Sequence, residues 1–179
     1  MQIKYLKIEG EYIFLRGSKN ILTPNGNKLK VCKRRHAELV VQELNKQKEN
    51  KNPNSLLNLT LFSCNLNISE KNLIKNKILE ILEFDCILCR FFDDNKLIKK
   101  MDRELNSYIK SFEEKFHTKL KKIESLLQKS TIHNLLFKEF LDQLNRFDLT
   151  VFYKLSILTK SSILSYFFIK NKIDHNTLY

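Results

Sequence analysis

The chain has 179 residues, which suits one large domain or two small ones, and its 42% apolar and 11% aromatic content with only 3 Gly and 2 Pro argues for an ordered, mostly helical protein. The net charge of +12 invites an acidic or nucleic-acid partner. Against nucleic acid, Lys outnumbers Arg 26 to 6, although Arg supplies the commonest base contacts, so a solvated Lys-rich surface is the better reading.

Four cysteines are too few for a disulfide scaffold in a chain of this size, which points to a reducing compartment. The start, MQIKYLKIEGEYIF, lacks the basic region, apolar run and small-residue cleavage site of a secretory signal. The expected location is therefore the bacterial cytoplasm, or the mitochondrial matrix if a presequence was removed.

Residues 1–33 read as a small antiparallel sheet. Ile3, Tyr5 and Ile8 alternate with Lys4 and Lys7, and Tyr12 to Leu15 is rich in β-formers. Gly17-Ser18 sits at hairpin spacing. Thr23-Pro24-Asn25-Gly26-Asn27 is a second turn, with Pro presetting φ and Gly or Asn supplying a positive one. Leu29 and Val31 then alternate with Lys28 and Lys30, giving a strand with one buried face.

From Arg34 the period changes. Ala37, Val40, Val41 and Leu44 predict a helix over about Arg34 to Gln47, lying on the sheet and ending in the polar run KQKENKNPN. Ser55 to Asn65 fits strand or helix equally. Ser69 is the expected N-cap of a helix that buries Leu73, Ile74, Ile78, Ile81 and Leu82 and runs to about Phe84. The clearest helix spans about Asp94 to His117, through Ile98, Met101, Leu105, Tyr108, Phe112 and Phe116. Thr118 to Leu127 reads as a short strand or irregular crossover. Ile132, Leu135, Leu136, Phe140, Leu144 and Phe147 predict a third one-sided helix.

The longest apolar segment runs from Asp148 to Lys172. About 20 apolar residues suffice to cross a bilayer, but Lys154 and Lys160 would lie inside a span at roughly 2.5 to 3.5 kcal/mol each. The segment is expected instead to be one helix at the axis of a helical bundle, with both lysines at an edge that reaches the surface. Ser162→Leu and Leu158→Asp are both expected to unfold that bundle. The organisation is thus α+β: an N-terminal domain over 1–67 with a helix packed on a small antiparallel sheet, then an all-α domain over 68–179.

No active site emerges. Cys86 and Cys89 form a CxxC, but it follows a helix, encloses Ile87 and Leu88, and is preceded by Asp85, which would raise the thiol pKa. Neither Cys32 nor Cys64 completes a zinc set, so buried structural cysteines are expected. His36, His117, His133 and His175 fall on different elements. Asp93-Asp94 and Glu113-Glu114 sit at a helix start or on a solvent-facing stripe. Phosphate-cradling glycine motifs and the GxSxG elbow are absent from the sequence. A binding or structural protein is favoured over an enzyme, with no metal or cofactor.

The order of segments resembles a family of chaperones that assemble the F(1) head of ATP synthase by holding its alpha subunit. Members show a Thr-Pro-x-Gly turn, a strand, then a helix containing Ala-Glu. Here Thr23, Pro24, Gly26, Leu29, Ala37, Glu38, Glu43 and Gln47 occupy those places, with Leu44 in place of a Trp. Asp85, Cys89 and Arg90 resemble the family's Thr-Asp-x-x-Cys-Tyr-Arg stretch. Leu105, Asn106 and Ser107 stand where Trp-Asp-Pro is usual, and the apolar C-terminal helix shares a small-residue step at Ser161-Ser162.

The resemblance implies a non-enzymatic protein that binds the unassembled alpha subunit, shields the surface that later meets the beta subunit, and releases it during assembly. It implies neither a nucleic-acid partner nor stable membrane insertion, and a monomer when free. The signature positions Thr23, Pro24, Gly26, Ala37, Glu38, Asp85 and Arg90 would serve structure or partner binding. The acidic Trp-containing tail usual in the family has no counterpart up to Tyr179, so none of its residues carries over. The alternative is a basic nucleic-acid-binding module.

Overall fold

The computed structural model describes residues 2–46, 52–130 and 135–173. Contacts divide the chain into two compact units, Met1–Ile68 and Ser69–Tyr179. The architecture is α+β, a four-stranded antiparallel sheet followed by helices.

In the first unit, β1 (Ile3–Ile8) and β2 (Glu11–Arg16) form a hairpin with Ile8 opposite Glu11 and Ile3 opposite Arg16. Its loop is Glu9-Gly10, with φ of 50° and 85°, the positive pair that a two-residue loop needs to match strand twist. Gly17-Ser18 turns β2 into the short β3 (Lys19–Asn20), and β4 (Lys30–Val31) also pairs with β2. One sheet face buries Ile3, Phe14, Leu29 and Val31 against Ala37, Val40 and Leu44 of α1 (Arg34–Asn45). The predicted end of that helix at Gln47 lies outside the described residues.

Ser55 to Asn65, legible either way in the sequence, is a helix, α2 (Leu56–Asn65). The Ser55 hydroxyl caps it by accepting from Asn58 N, and the Glu43 carboxylate accepts from Leu56 N at 3.3 Å and Leu57 N at 2.8 Å. An anion at free helix N–H groups is stabilised by the macrodipole. Leu57 and Cys64 join the core, and the Cys64 thiol donates to Lys30 O.

In the second unit, α3 (Ile68–Glu83) starts one residue before the expected cap, so Ser69 lies inside it. A single 3-10 turn, Cys86–Leu88, follows. Then comes α4 (Asn95–Phe116), capped by Asp94, whose carboxylate accepts from Lys96 N and Leu97 N, and stopped by His117 in the left-handed region at φ 47°. Residues 118–130 are irregular apart from a parallel bridge between Ile123 and Cys89.

The C-terminal part departs from expectation twice. The third one-sided helix stops early: α5 covers Leu135–Gln143, and Phe147 belongs to the next helix, because the Asn145 side chain caps it by accepting from Asp148 N at 2.9 Å. Ile132 and His133 lie outside the described residues. The apolar segment is also two helices, α6 (Arg146–Thr159) and α7 (Ser162–Ile169). Lys160 enters the left-handed region at φ 52°, and the Ser161 hydroxyl accepts from Leu164 N, restarting the helix without Gly or Pro.

The buried member of this unit is therefore α7, where Ser162, Ile163, Ser165, Tyr166 and Phe167 are all inside. α6 is one-sided: Leu149, Phe152 and Ser156 are buried, whereas Leu158 is 60% exposed and cannot be the core residue that was expected. Lys160 is exposed and Lys154 half-buried. Aromatic rings from α4, α5, α6 and α7 interlock: Phe112 and Phe116 contact each other and both Phe137 and Tyr166 at 4.6 to 5.7 Å, and Phe152 meets Phe137 at 6.1 Å. Such pairs add about 0.5 to 1.5 kcal/mol each beyond area burial. Among the described residues, no helix is long and apolar enough to cross a membrane.

Candidate functional site

The sequence-derived positions fall into separate clusters, two in the first unit and one in the second. In the first cluster the Thr23 hydroxyl, almost fully buried, donates to Asn65 Oδ1 at 2.5 Å and accepts from Asn27 N at 3.1 Å. The Asn27 amide donates to the same Asn65 oxygen, and Gly26 N closes the turn onto Thr23 O at 2.9 Å. Pro24 presets the turn, and Gly26 at φ 78° occupies a conformation that costs a residue with Cβ. The turn is thereby tied to the C-terminal end of α2.

In the second cluster Ala37 and Glu38, adjacent in sequence, face opposite ways. Ala37 is fully buried in the core that also holds Phe14 and Leu29. Glu38 accepts from the Tyr5 hydroxyl at 3.3 Å and from Arg34 Nε at 2.9 Å, tying α1 to β1.

In the second unit the third cluster contains Asp85 and Arg90. Asp85 is fully buried, and its carboxylate accepts from Ile87 N at 3.2 Å and Ile163 N at 3.0 Å, with further bonds from the Ser161 hydroxyl and Ser162 N. Cys86 N donates to Lys160 O and the Cys86 thiol to Thr159 O. The turn after α3 is thus bonded across the break between α6 and α7. Burial pushes the Asp85 carboxyl up to about 7, against the pull of these four donors toward the charged form.

Arg90 is 6% exposed, and its guanidinium donates to Asp102 Oδ1, Ile87 O and Cys89 O, each at 2.8 Å. Lys122 also donates to Asp102, at 2.7 Å, and these two cations hold that carboxyl below the usual range. The 3-10 turn is therefore locked to α7 by Asp85 and to α4 by Arg90. Burial, then the charge of Asp85, pushes the Cys86 thiol up to about 12, and the same causes raise Cys89. Neither is poised as a thiolate nucleophile at neutral pH. Among the described residues, no group of three or more His, Cys, Asp or Glu could hold a metal ion.

What this frame presents to solvent was missed in the sequence. Phe91 and Phe92, directly after Arg90, are stacked at 5.3 Å and more than a third exposed. Leu126 and Leu127 sit at the tip of a turn closed by Gln128 N on Ser125 O, and Leu127 is 97% exposed. Contiguous exposed apolar side chains mark protein-binding surfaces, whereas single ones are ordinary. A pair of adjacent apolar residues outside any periodic segment was the available signal.

The family model of the ATP12 chaperone protein matches residues 3–113, from β1 through most of α4. No curated protein matches the chain. Among solved structures, the Atu1473 protein from Agrobacterium tumefaciens superposes with a TM-score of 0.86 at 17% identity, covering 99% of this chain and 68% of that one. A mutant of P. denitrificans Atp12p gives 0.84 at 18% identity, and Atp12 from Paracoccus denitrificans gives 0.81 at 17%. Each of these covers 99% of this chain and 78% of the other. These likenesses show that the α+β fold is shared, and the match over residues 3–113 of 179 shows that the chain belongs to the ATP12 chaperone family.

Proposed function

We propose that this protein is an assembly chaperone that holds the unassembled alpha subunit of F(1)-ATP synthase, covers the surface that later meets the beta subunit, and releases it on assembly. The observation that carries the reading is the family match over residues 3–113. The exposed Phe91-Phe92 and Leu126-Leu127 pairs supply the apolar surface that such a task requires. The work is binding without chemistry, in the bacterial cytoplasm or the mitochondrial matrix, by a chain that is monomeric when free.

Within this reading the signature positions are framework. Ala37, Thr23, Asp85 and Arg90 are buried, so a partner could reach them only by unfolding the unit around them. Pro24 and Gly26 shape a turn, and Glu38 ties a helix to a strand. The test is direct: isolated alpha subunit, diluted from denaturant with and without this protein, is followed by light scattering and then by co-purification. Suppressed aggregation and a recovered complex are expected. Unchanged scattering with a correctly folded chaperone would refute the assignment.

A further inference from the structure

Residues 121–130 of the second unit form a loop tied at both feet. Its two arms meet where Lys121 N donates to the Ser130 hydroxyl at 3.2 Å. On one arm Ile123 N donates to Leu88 O at 2.9 Å, and the Ile123 carbonyl accepts from Arg90 N at 2.7 Å. On the other, Ser130 N donates to Glu83 O at 2.9 Å. Ile123 and Ser130 are each 1% exposed. Between these feet Glu124 N donates to Gln128 Oε1, and Gln128 N to Ser125 O. The loop thus holds its shape by its own bonds, which lowers the ordering cost that a flexible binding loop would carry.

At its tip Leu126 is 77% and Leu127 97% exposed, so nearly the whole Leu127 side chain is left for a neighbour. A flat surface covers only the side of such a tip that faces it, whereas a concave one encloses it, and anchor side chains contribute most in fully desolvated pockets. The charge beside the tip is mostly of one sign. Between 118 and 130 the chain carries Lys119, Lys121, Lys122 and Lys129 against Glu124 alone. Lys122 is held by Asp102 at 2.7 Å, and Lys129 lies 3.6 Å from Glu83. Lys119 and Lys121 are exposed and enter no ion pair among the described residues.

We propose that the Leu126-Leu127 tip anchors the client, entering an apolar socket of the alpha subunit whose rim carries carboxylates that meet Lys119 and Lys121. This rests on the client assignment above, and adds to it the residues that hold and the chemistry that is held. The desolvated leucines supply affinity, while the solvent-exposed lysines supply the approach and the choice of partner. A socket with a basic rim would offer the same apolar fit but set like charges against Lys119 and Lys121, which is how one cavity is told from another. A second copy of the tip brings the same lysines, so the charge also disfavours pairing between identical chains.

The experiment titrates fluorescently labelled full chain with freshly refolded alpha subunit at low and high salt, reading the Kd by anisotropy. The double variant Leu126→Ser, Leu127→Ser should melt as the wild type does, both positions being exposed, and bind at least about tenfold more weakly. Lys119→Glu with Lys121→Glu should weaken binding severalfold at low salt and flatten its salt dependence, because exposed charges are screened, and Lys119→Arg with Lys121→Arg should restore both. A photoreactive phenylalanine derivative in place of Leu127 should crosslink to an apolar stretch of the alpha subunit flanked by Asp or Glu. Equal Kd for the wild type and the leucine variant would overturn the tip as anchor while leaving the client assignment intact. No binding by the folded wild type would refute both. An unchanged salt slope in the glutamate variant would overturn the acidic rim, and capture by vesicles of anionic phospholipid that the leucine variant loses, with its alpha-subunit binding unchanged, would assign the tip to a lipid surface instead.

Discussion

Replacing Asp85 by Asn removes one ionisable group from a site built entirely of donors. The carboxylate accepts from Ile87 N, Ile163 N, Ser162 N and the Ser161 hydroxyl. An amide offers one oxygen only, so its nitrogen must face a backbone N–H. A buried donor left without an acceptor costs about 1 to 3 kcal/mol, which sets the loss at acid pH. The pH dependence runs the other way. Because burial raises the folded-state carboxyl from 3.8 to about 7, the folded protein holds a proton there that the unfolded chain has released. Stability from this group is complete below pH 4 and falls as pH rises toward 7. At about 1.4 kcal/mol per pH unit the full swing is about 4 kcal/mol.

Urea unfolding of both proteins, followed by far-ultraviolet circular dichroism at a series of pH values from 4 to 8, measures the difference directly, since all other titrations cancel. The wild type should lead Asp85→Asn at pH 4 and fall behind it as pH approaches 7, since a swing of about 4 kcal/mol exceeds a lead of about 1 to 3 kcal/mol. Parallel curves would show that Asp85 titrates near its ordinary value. A wild-type advantage that grows with pH would show that the four donors outweigh burial.

Three further outcomes follow from the packing. Ser162→Leu forces two extra heavy atoms into a sealed site and breaks the bond to Ile78 O at 2.8 Å, so it should lower stability by at least about 2 kcal/mol in the same denaturation assay. Leu158→Asp, at a position 60% exposed, should change stability by no more than about 0.5 kcal/mol. Glu43→Gln keeps the shape but removes the anion from the start of α2, and thermal melts should show a loss of about 0.5 to 1 kcal/mol. Under the proposed function, serine at Phe91 and Phe92 together should leave the melting temperature within a few degrees while reducing suppression of alpha-subunit aggregation severalfold, as removal of a small group of anchor residues does at other interfaces.

The N-terminal sheet was legible because its turns are announced by residues with special backbone freedom: Gly10, Gly17, Pro24 and Gly26 stand where the chain reverses. α4 was legible because Asp94 caps it and its apolar stripe persists for six turns. The break between α6 and α7 was not, because Lys160 adopts a left-handed conformation without being Gly, held there by Cys86 N on its carbonyl from a distant turn. Tertiary bonds of that kind leave no local mark. α2 was ambiguous for a different reason: LLNLTLFSCN is apolar on most sides, so neither period stands out, and its helical state depends on Ser55 and on Glu43 from α1. The signature positions were found through family resemblance, but that Thr23, Ala37, Asp85 and Arg90 are buried, and which groups Thr23, Asp85 and Arg90 bond, could be read only from the fold.

The serine step in the apolar segment sets how far either helix can reach. α6, at 14 residues, is about 21 Å long, short of the roughly 30 Å of a bilayer's hydrocarbon core. Carrying the helix straight through Ser161 and Ser162 would span it, but at the cost of the α7 cap and of the bonds that Ser162 Oγ makes to Ile78 O and Asp85 to Ile163 N. The same residues that restart the helix in protein are polar groups without those partners in lipid. A segment apolar enough to fill a core is thereby written so that folding satisfies it and a membrane does not.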